Sequence, residues 1–204
     1  MNYSNQKKGM MLAFTGMIFI TPDSLFIRLA NLESWNLIFY RGFIPFIVVF
    51  IGLLIIYKTK LINEIINNGW HGFAYACVFT ITNIVFVISI ENTNVANTLI
   101  MIALAPMLSA IISFFFLKEN PDPKTWVAII ITTLSVIYIF YDALDAGDFL
   151  GNFLGLVCAT GLAVGAVIIR SAKKISLVPS AMLGKLMVAL IALFFANQFK
   201  LEGY

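Results

Sequence analysis

Seven runs of predominantly apolar residues follow one another along this chain, each about long enough to cross a bilayer as a helix of roughly 20 residues. They cover roughly residues 9–28, 36–57, 70–90, 95–117, 125–141, 149–170 and 178–199. The segments between them are short and polar: "LANLESW", "KTKLINEIINNG", "ENTN", "KENPDPK", "YDALDAGD" and "SAKKISLV". Several carry Pro, Gly or Asn, the residues that end helices. Strands of a membrane barrel would alternate apolar and polar positions, and these runs do not. The sequence therefore predicts an all-α polytopic membrane protein with seven transmembrane helices.

Composition agrees. Hydrophobic residues make up 61% of the chain and charged residues 11%, against about 25% charged in soluble domains. So few polar groups cannot cover a water-facing surface, and the lipid bilayer is the expected partner. The basic residues are scattered through the connectors, which excludes the concentrated basic face of a nucleic-acid binder. Cys77 and Cys158 both fall inside apolar runs, so neither a disulfide framework nor a metal site is suggested, and no cofactor is expected.

Orientation follows from the excess of Lys and Arg on the cytoplasmic side. A cytoplasmic N-terminus puts Lys7, Lys8, Lys58, Lys60, Lys118, Lys124, Arg170, Lys173 and Lys174 inside, and only Arg28 and Lys200 outside. The outer segments otherwise carry Glu33, Glu91, Asp142, Asp145 and Asp148. The chain is thus expected to be a multi-pass protein of the inner (cell) membrane, with Tyr204 outside. Lys7 and Lys8 precede an apolar run as in a signal peptide. No small-residue cleavage site follows, so this run reads as a retained first span.

The first run contains "FITPDSLFIRLA". Thr21, Pro22, Asp23 and Ser24 have the chemistry of a helix start: Thr as N-cap, Pro at the first position, Asp in the first turn. Inside a span they predict a break or kink at Pro22, because proline removes a backbone bond and clashes with the preceding turn. Such a break is tolerated where protein or water surrounds it.

An ungapped offset of 142 lays residues 9–30 over 151–172. Gly9 then meets Gly151, Leu12 meets Leu154, Arg28 meets Arg170, and, further on, Gly42 meets Gly184 and Lys58 meets Lys200. Five helices separate the copies, so the second copy crosses the membrane the other way up. Inverted repeats of this sort are a transporter architecture, with the substrate site near the midplane between the halves.

The run 86–140 carries small and polar residues at Asn94 to Thr98, a mid-helix Pro106, then Leu117 with Glu119, then Trp126 opening the next helix. In this it resembles the fourth and fifth helices of EamA-type carriers of the drug/metabolite transporter superfamily. "FYRGFIPF", with Tyr40 and Arg41, is similar to the start of the family's second helix, and "TPDSLFIR" resembles a variant of the end of its first. The resemblance spans residues 9–199. It implies ten helices in two inverted five-helix repeats, here 9–141 complete and 149–204 as the first two helices of the second. Adding the offset to residue 141 would end a complete second repeat near residue 283, roughly, so the chain reads as a piece of a longer carrier.

Polar residues within the runs are the candidate substrate-binding or coupling groups. Asp23 and Arg41 each lie about 7–8 Å below the outer ends of their helices, at 1.5 Å per residue. Three readings stand side by side: an internal ion pair with Asp23 also capping a broken helix; a proton site at Asp23 with Arg41 meeting an anionic substrate group; or snorkelling to the interface. A charge at mid-helix costs about 2.5–3.5 kcal/mol by insertion scales, which argues against accidental retention. Asn83, with Thr80 and Thr82, lies midway along the third run. Asn97, with Thr98, lies in the outer part of the fourth. Both suit either helix-to-helix hydrogen bonding or cavity lining. Pro106 is a second kink candidate. His71 beside Trp70 reads as an interfacial anchor, and Lys185 as a snorkelling lysine.

The function that fits is a secondary carrier moving a small metabolite or drug-like solute by alternating access, with a proton as a candidate coupling ion. A non-catalytic membrane subunit is the alternative. An intramembrane enzyme fits less well, because it needs a nucleophile with a base, or a metal cluster, and the spans supply neither.

Overall fold

The computed structural model describes residues 3–20, 22–30, 32–118, 120, 122–146, 149–172 and 175–196. The chain divides into two compact units, one through Leu32 and one from Glu33 onward.

The first unit holds α1 (Tyr3–Ile20) and α2 (Asp23–Leu29). Pro22 stands at the N-cap of α2, with φ −74° and ψ −10° and no side-chain cap bond. It thus sits one residue ahead of the first helical position that the sequence assigned to it. Its carbonyl accepts from the Phe26 amide at 3.0 Å, closing the first turn of α2. Asp23 occupies that first turn, where the helix dipole favours a carboxylate. The expected cap, Thr21, lies outside the described residues.

The second unit runs through α3 (Ser34–Tyr57), a 3-10 turn (Lys58–Lys60), α4 (Leu61–Asn67), α5 (Gly69–Asn92), α6 (Val95–Ile102), α7 (Ala105–Phe116), α8 (Pro123–Ala146), α9 (Phe149–Ser171) and α10 (Val178–Phe195). Among the described residues there is no strand. Five stretches are long and apolar enough to cross a membrane: Ser34–Asn67, Gly69–Asn92, Val95–Phe116, Phe149–Ser171 and Val178–Phe195. A shorter apolar helix covers Pro123–Tyr138. The all-α polytopic expectation holds, with an approximate helix count because the first run is divided between α1 and α2.

Two connectors differ from expectation. "KTKLINEIINNG" forms the 3-10 turn and α4 rather than a loop. Its Leu61 is buried against Leu53 and Met182, so apolar spacing within a polar connector is enough to hold a short helix. "DALDA" continues α8 instead of ending it. Large apolar side chains such as Ile55, Phe73, Ile81, Phe116, Leu134 and Phe194 remain exposed, as lipid-facing positions do.

Two helices form the middle of this unit. α9 packs on α5, α6 and α7, and α10 packs on α3 and α5. Small residues let them approach closely. Gly151, Gly155, Ala159 and Ala163 recur every four residues along α9 and are buried. A Cβ on Gly151 would lie 2.5 Å from the Asn92 carbonyl carbon and oxygen, so α9 meets the end of α5 backbone to backbone. At Gly42 a Cβ would come within 2.7 Å of the Ala189 nitrogen and 2.9 Å of the Lys185 oxygen. Side-chain contacts fix the directions. Trp35 stacks on Phe195 at 4.6 Å while Leu53 packs against Met182, so α3 and α10 are antiparallel. Ser34 donates to Glu91 at 2.5 Å, as expected of α3 running opposite to α5.

Asn68, at the junction of α4 and α5, is 2% exposed. Its Nδ2 donates to Ser180 Oγ at 2.8 Å and to the Ser176 carbonyl at 3.1 Å. Replacing it with alanine strips both acceptors of a buried donor, and Asn68→Ala is expected to cost about 2 kcal/mol. Thermal unfolding of purified protein in detergent checks this. A midpoint equal to wild type would mean that the junction does not hold α10.

Candidate functional site

Phe79, Asn83 and Phe86 stand at spacings of four and three on α5 and so share one face. Two cations reach that face from two other helices. Lys185, near the middle of α10, places Nζ 2.5 Å from Asn83 Oδ1 and 5.2 Å from the centre of the Phe79 ring. Arg41, in the second turn of α3, places its guanidinium carbon 5.3 Å from the centre of the Phe86 ring. Both ring contacts are within the range of cation–π attraction. All five side chains are half-buried.

Local chemistry sets this arrangement. Asn83 Nδ2 donates to the Phe79 carbonyl one turn back, at 2.7 Å, which aims Oδ1 at the lysine. Thr80 Oγ1 bridges the Ala76 carbonyl, at 2.7 Å, and the Gly184 carbonyl, at 3.1 Å. That bridge holds α10 against α5 right beside Lys185. The close crossing at Gly42 brings Arg41 and Lys185 onto neighbouring turns of α3 and α10. Pro45 lies inside α3, and, lacking an N–H, it denies the Arg41 carbonyl its ordinary intrahelical donor.

The other sequence candidates fall elsewhere. Asn97 sits in the first turn of α6, with Nδ2 3.4 Å from Thr93 Oγ1. It belongs to a polar cluster between α5, α6 and α9. There Thr93 Oγ1 donates to Asn152 Oδ1 at 3.1 Å, Ser89 Oγ donates to the Gly151 carbonyl at 2.7 Å, and the Ser89 and Thr98 hydroxyls lie 2.9 Å apart. Pro106 is the second residue of α7, after α6 ends at Ile102. Asp23 and Pro22 belong to the first unit. His71 is exposed. A groove of about 410 Å³ along α5 and α9 is lined by Val78, Thr82, Phe153, Val157 and Val164. Its lining is largely apolar, with Thr82 and Thr160 as its polar residues, and Asp23, Arg41, Asn83 and Asn97 do not line it.

The residue that sequence reasoning misplaced is Lys185. Its amine does not run out to an interface; it turns to Asn83 in the middle of α5. One signal was present. In the 142-residue register Gly42 meets Gly184, and each of these glycines has a basic neighbour, Arg41 before one and Lys185 after the other.

Helices long enough to span a bilayer, closely packed on small residues, with two basic side chains turned onto one face of α5, define a polytopic membrane protein. The sequence model of the EamA-like transporter family matches residues 7–141. The chain belongs to that family, within the drug/metabolite transporter superfamily, and the family's members are membrane transporters. Comparisons with curated proteins and with solved structures return no match.

Proposed function

We propose that this protein is a secondary carrier that moves a small metabolite or drug-like solute across the inner cell membrane by alternating access, with its N-terminus in the cytoplasm. The observation that carries this reading is the crossing of α3 and α10. These are one of the two pairs of segments that the 142-residue register equates, the other being residues 9–30 with 151–172. They run antiparallel, as inverted copies must, and they cross on Gly42 beside Arg41 and Lys185. In this reading residues 9–141 form the first repeat and 149–204 begin the second. The solute meets the polar groups between them, Arg41 and Asn83 first, with Asn97 lining its path. Pro22 and Pro106 supply the helix breaks.

Purified protein in liposomes should move solute down an imposed gradient. Turnover of a lipid or peptide without net flux would instead favour an enzyme, and a co-purifying stoichiometric partner without flux would favour a subunit. Asp23 is the proposed site of the coupling proton. Asp23→Asn is expected to flatten the dependence of transport on pH while lowering its rate. Initial rates compared with wild type across pH check it; a mutant with the wild-type rate and pH profile would remove Asp23 from coupling.

A further inference from the structure

We propose that the 3-10 turn, α4 and the first turn of α5 form a docking surface for an anionic phospholipid. Lys58 and Lys60 meet its headgroup, while Ile62, Ile66 and Trp70 enter the acyl boundary. The surface is read out by binding rather than by flux, so it stands or falls apart from the carrier reading.

Depth comes first. α3 is 24 residues long, about 36 Å at 1.5 Å per residue, against a hydrocarbon core of about 30 Å. α5, also 24 residues, runs the opposite way. Two spans that outrun the core put the link between them, 58–68, at headgroup level. Tyr57 and Trp70 flank that link, where aromatic belts mark the interface. In the orientation proposed above this is the cytoplasmic leaflet, the one with an anionic surface.

The side of α4 that meets lipid follows from what holds the other side. Leu61 is buried against Leu53 and Met182, and Ile65 packs with them. Asn68 ties the end of α4 to Ser180 of α10. Ile62 and Ile66, one helical turn apart, share the adjoining face and are each 68% exposed, and Trp70 is 75% exposed. Lys58 and Lys60 are exposed in the turn just ahead. Bulky apolar side chains at that depth, next to lysines, are the pattern of a helix lying in the interface plane. Glu64 stands one turn on from Lys60, in the order that makes the weaker helical pair.

The backbone adds an observation of a different kind. Lys58 has φ 49° and ψ −124°, a left-handed conformation that glycine adopts readily and other residues rarely do. Lys118, just past the end of α7, has φ 54°. Among the described residues these are the two non-glycine positions with positive φ, and both are lysines. A lysine held where glycine would be relaxed points to a use for its side chain. The same short helix holds α10 through Met182 and Ser180. A lipid seated on it binds the folded form and so stabilises that contact.

The test uses the purified full chain in detergent, titrated with phosphatidylglycerol or phosphatidylcholine of the same acyl chains and followed by native mass spectrometry. Phosphatidylglycerol should be retained about tenfold over phosphatidylcholine, the scale of two lysines at an anionic surface, and should raise the thermal unfolding midpoint. Both effects should vanish in the Lys58→Gln, Lys60→Gln double variant. They should persist in Lys124→Gln, which removes a lysine from the start of α8. Lys58→Gly suits the backbone, so its midpoint without lipid should rise while its lipid preference falls.

Equal retention of the two lipids by the wild type overturns the inference. So does an equal loss in Lys124→Gln, which assigns the preference to basic charge at large. Full preference in Lys58→Gly leaves that lysine as a helix end and no more, and also overturns it. Displacement of the lipid by excess inorganic phosphate names a soluble anion as the occupant and removes the lipid.

Discussion

Gly42→Ala is expected to destabilise the protein by about 1–3 kcal/mol, the range of overpacking a tight contact, although alanine is the better helix former. The new methyl would have to occupy space within 2.7 Å of the Ala189 nitrogen and 2.9 Å of the Lys185 oxygen. Both are backbone atoms of a helix, so neither can swing aside, and α3 and α10 must separate. Gly42→Leu should prevent the pair from forming at all. Gly52, ten residues further along the same helix, has nothing within 4 Å of its Cβ position. Gly52→Ala is therefore the control, neutral or slightly stabilising through helix propensity, up to about 1 kcal/mol. Urea or thermal unfolding in detergent micelles compares the two. Equal midpoints for Gly42→Ala and Gly52→Ala would mean that the close crossing does not exist.

Asn83 carries the second large effect, and two substitutions split it. Asn83→Leu keeps the volume and removes the acceptor from Lys185. Hydrogen bonds to charged groups contribute about 1.5–3 kcal/mol, so a loss near 2 kcal/mol is expected, with transport falling at least tenfold as the amine leaves the α5 face. Asn83→Asp keeps the shape and gives Lys185 a carboxylate. It forfeits the Nδ2 bond to the Phe79 carbonyl but gains an ion pair, so its stability should stay within about 1 kcal/mol of wild type. Its transport should nevertheless fall, because a fixed carboxylate now holds the amine on the α5 face. A stable Asn83→Asp variant that transports at the wild-type rate would exclude the charge at this position from function.

Much of the fold was legible because lipid imposes it. A chain that must satisfy its backbone within each span and match a fixed thickness announces its helices through hydropathy. Asn92 to Asn94, Asp122 and Pro123 duly mark helix ends. The connector at 58–69 was misread because its charges, Lys58, Lys60 and Glu64, drew attention from Leu61, Ile62, Ile65 and Ile66, which recur at helical spacing. The site was less legible. Arg41 and Asn83 stand out as polar residues in apolar runs, but the lysine that meets Asn83 is more than a hundred residues away. A lysine seven residues into a helix is equally able to reach an interface or an inner partner. Only the register that equates Gly42 with Gly184 brings Arg41 and Lys185 to comparable places. Asn97 illustrates the opposite limit. Nothing local tells whether an amide bonded to Thr93 only ties helices together or also lines a path.

The contact at Gly42 has a mechanical meaning. Where two rods touch through their axes rather than through interleaved side chains, nothing meshes to resist a small turn, and the touching point serves as a fulcrum. Trp35 with Phe195 lies on one arm and Leu53 with Met182 on the other. A scissoring of a few degrees about that point would widen or narrow both pairs together, and the backbone at Gly42 and Lys185, at the pivot, would move least.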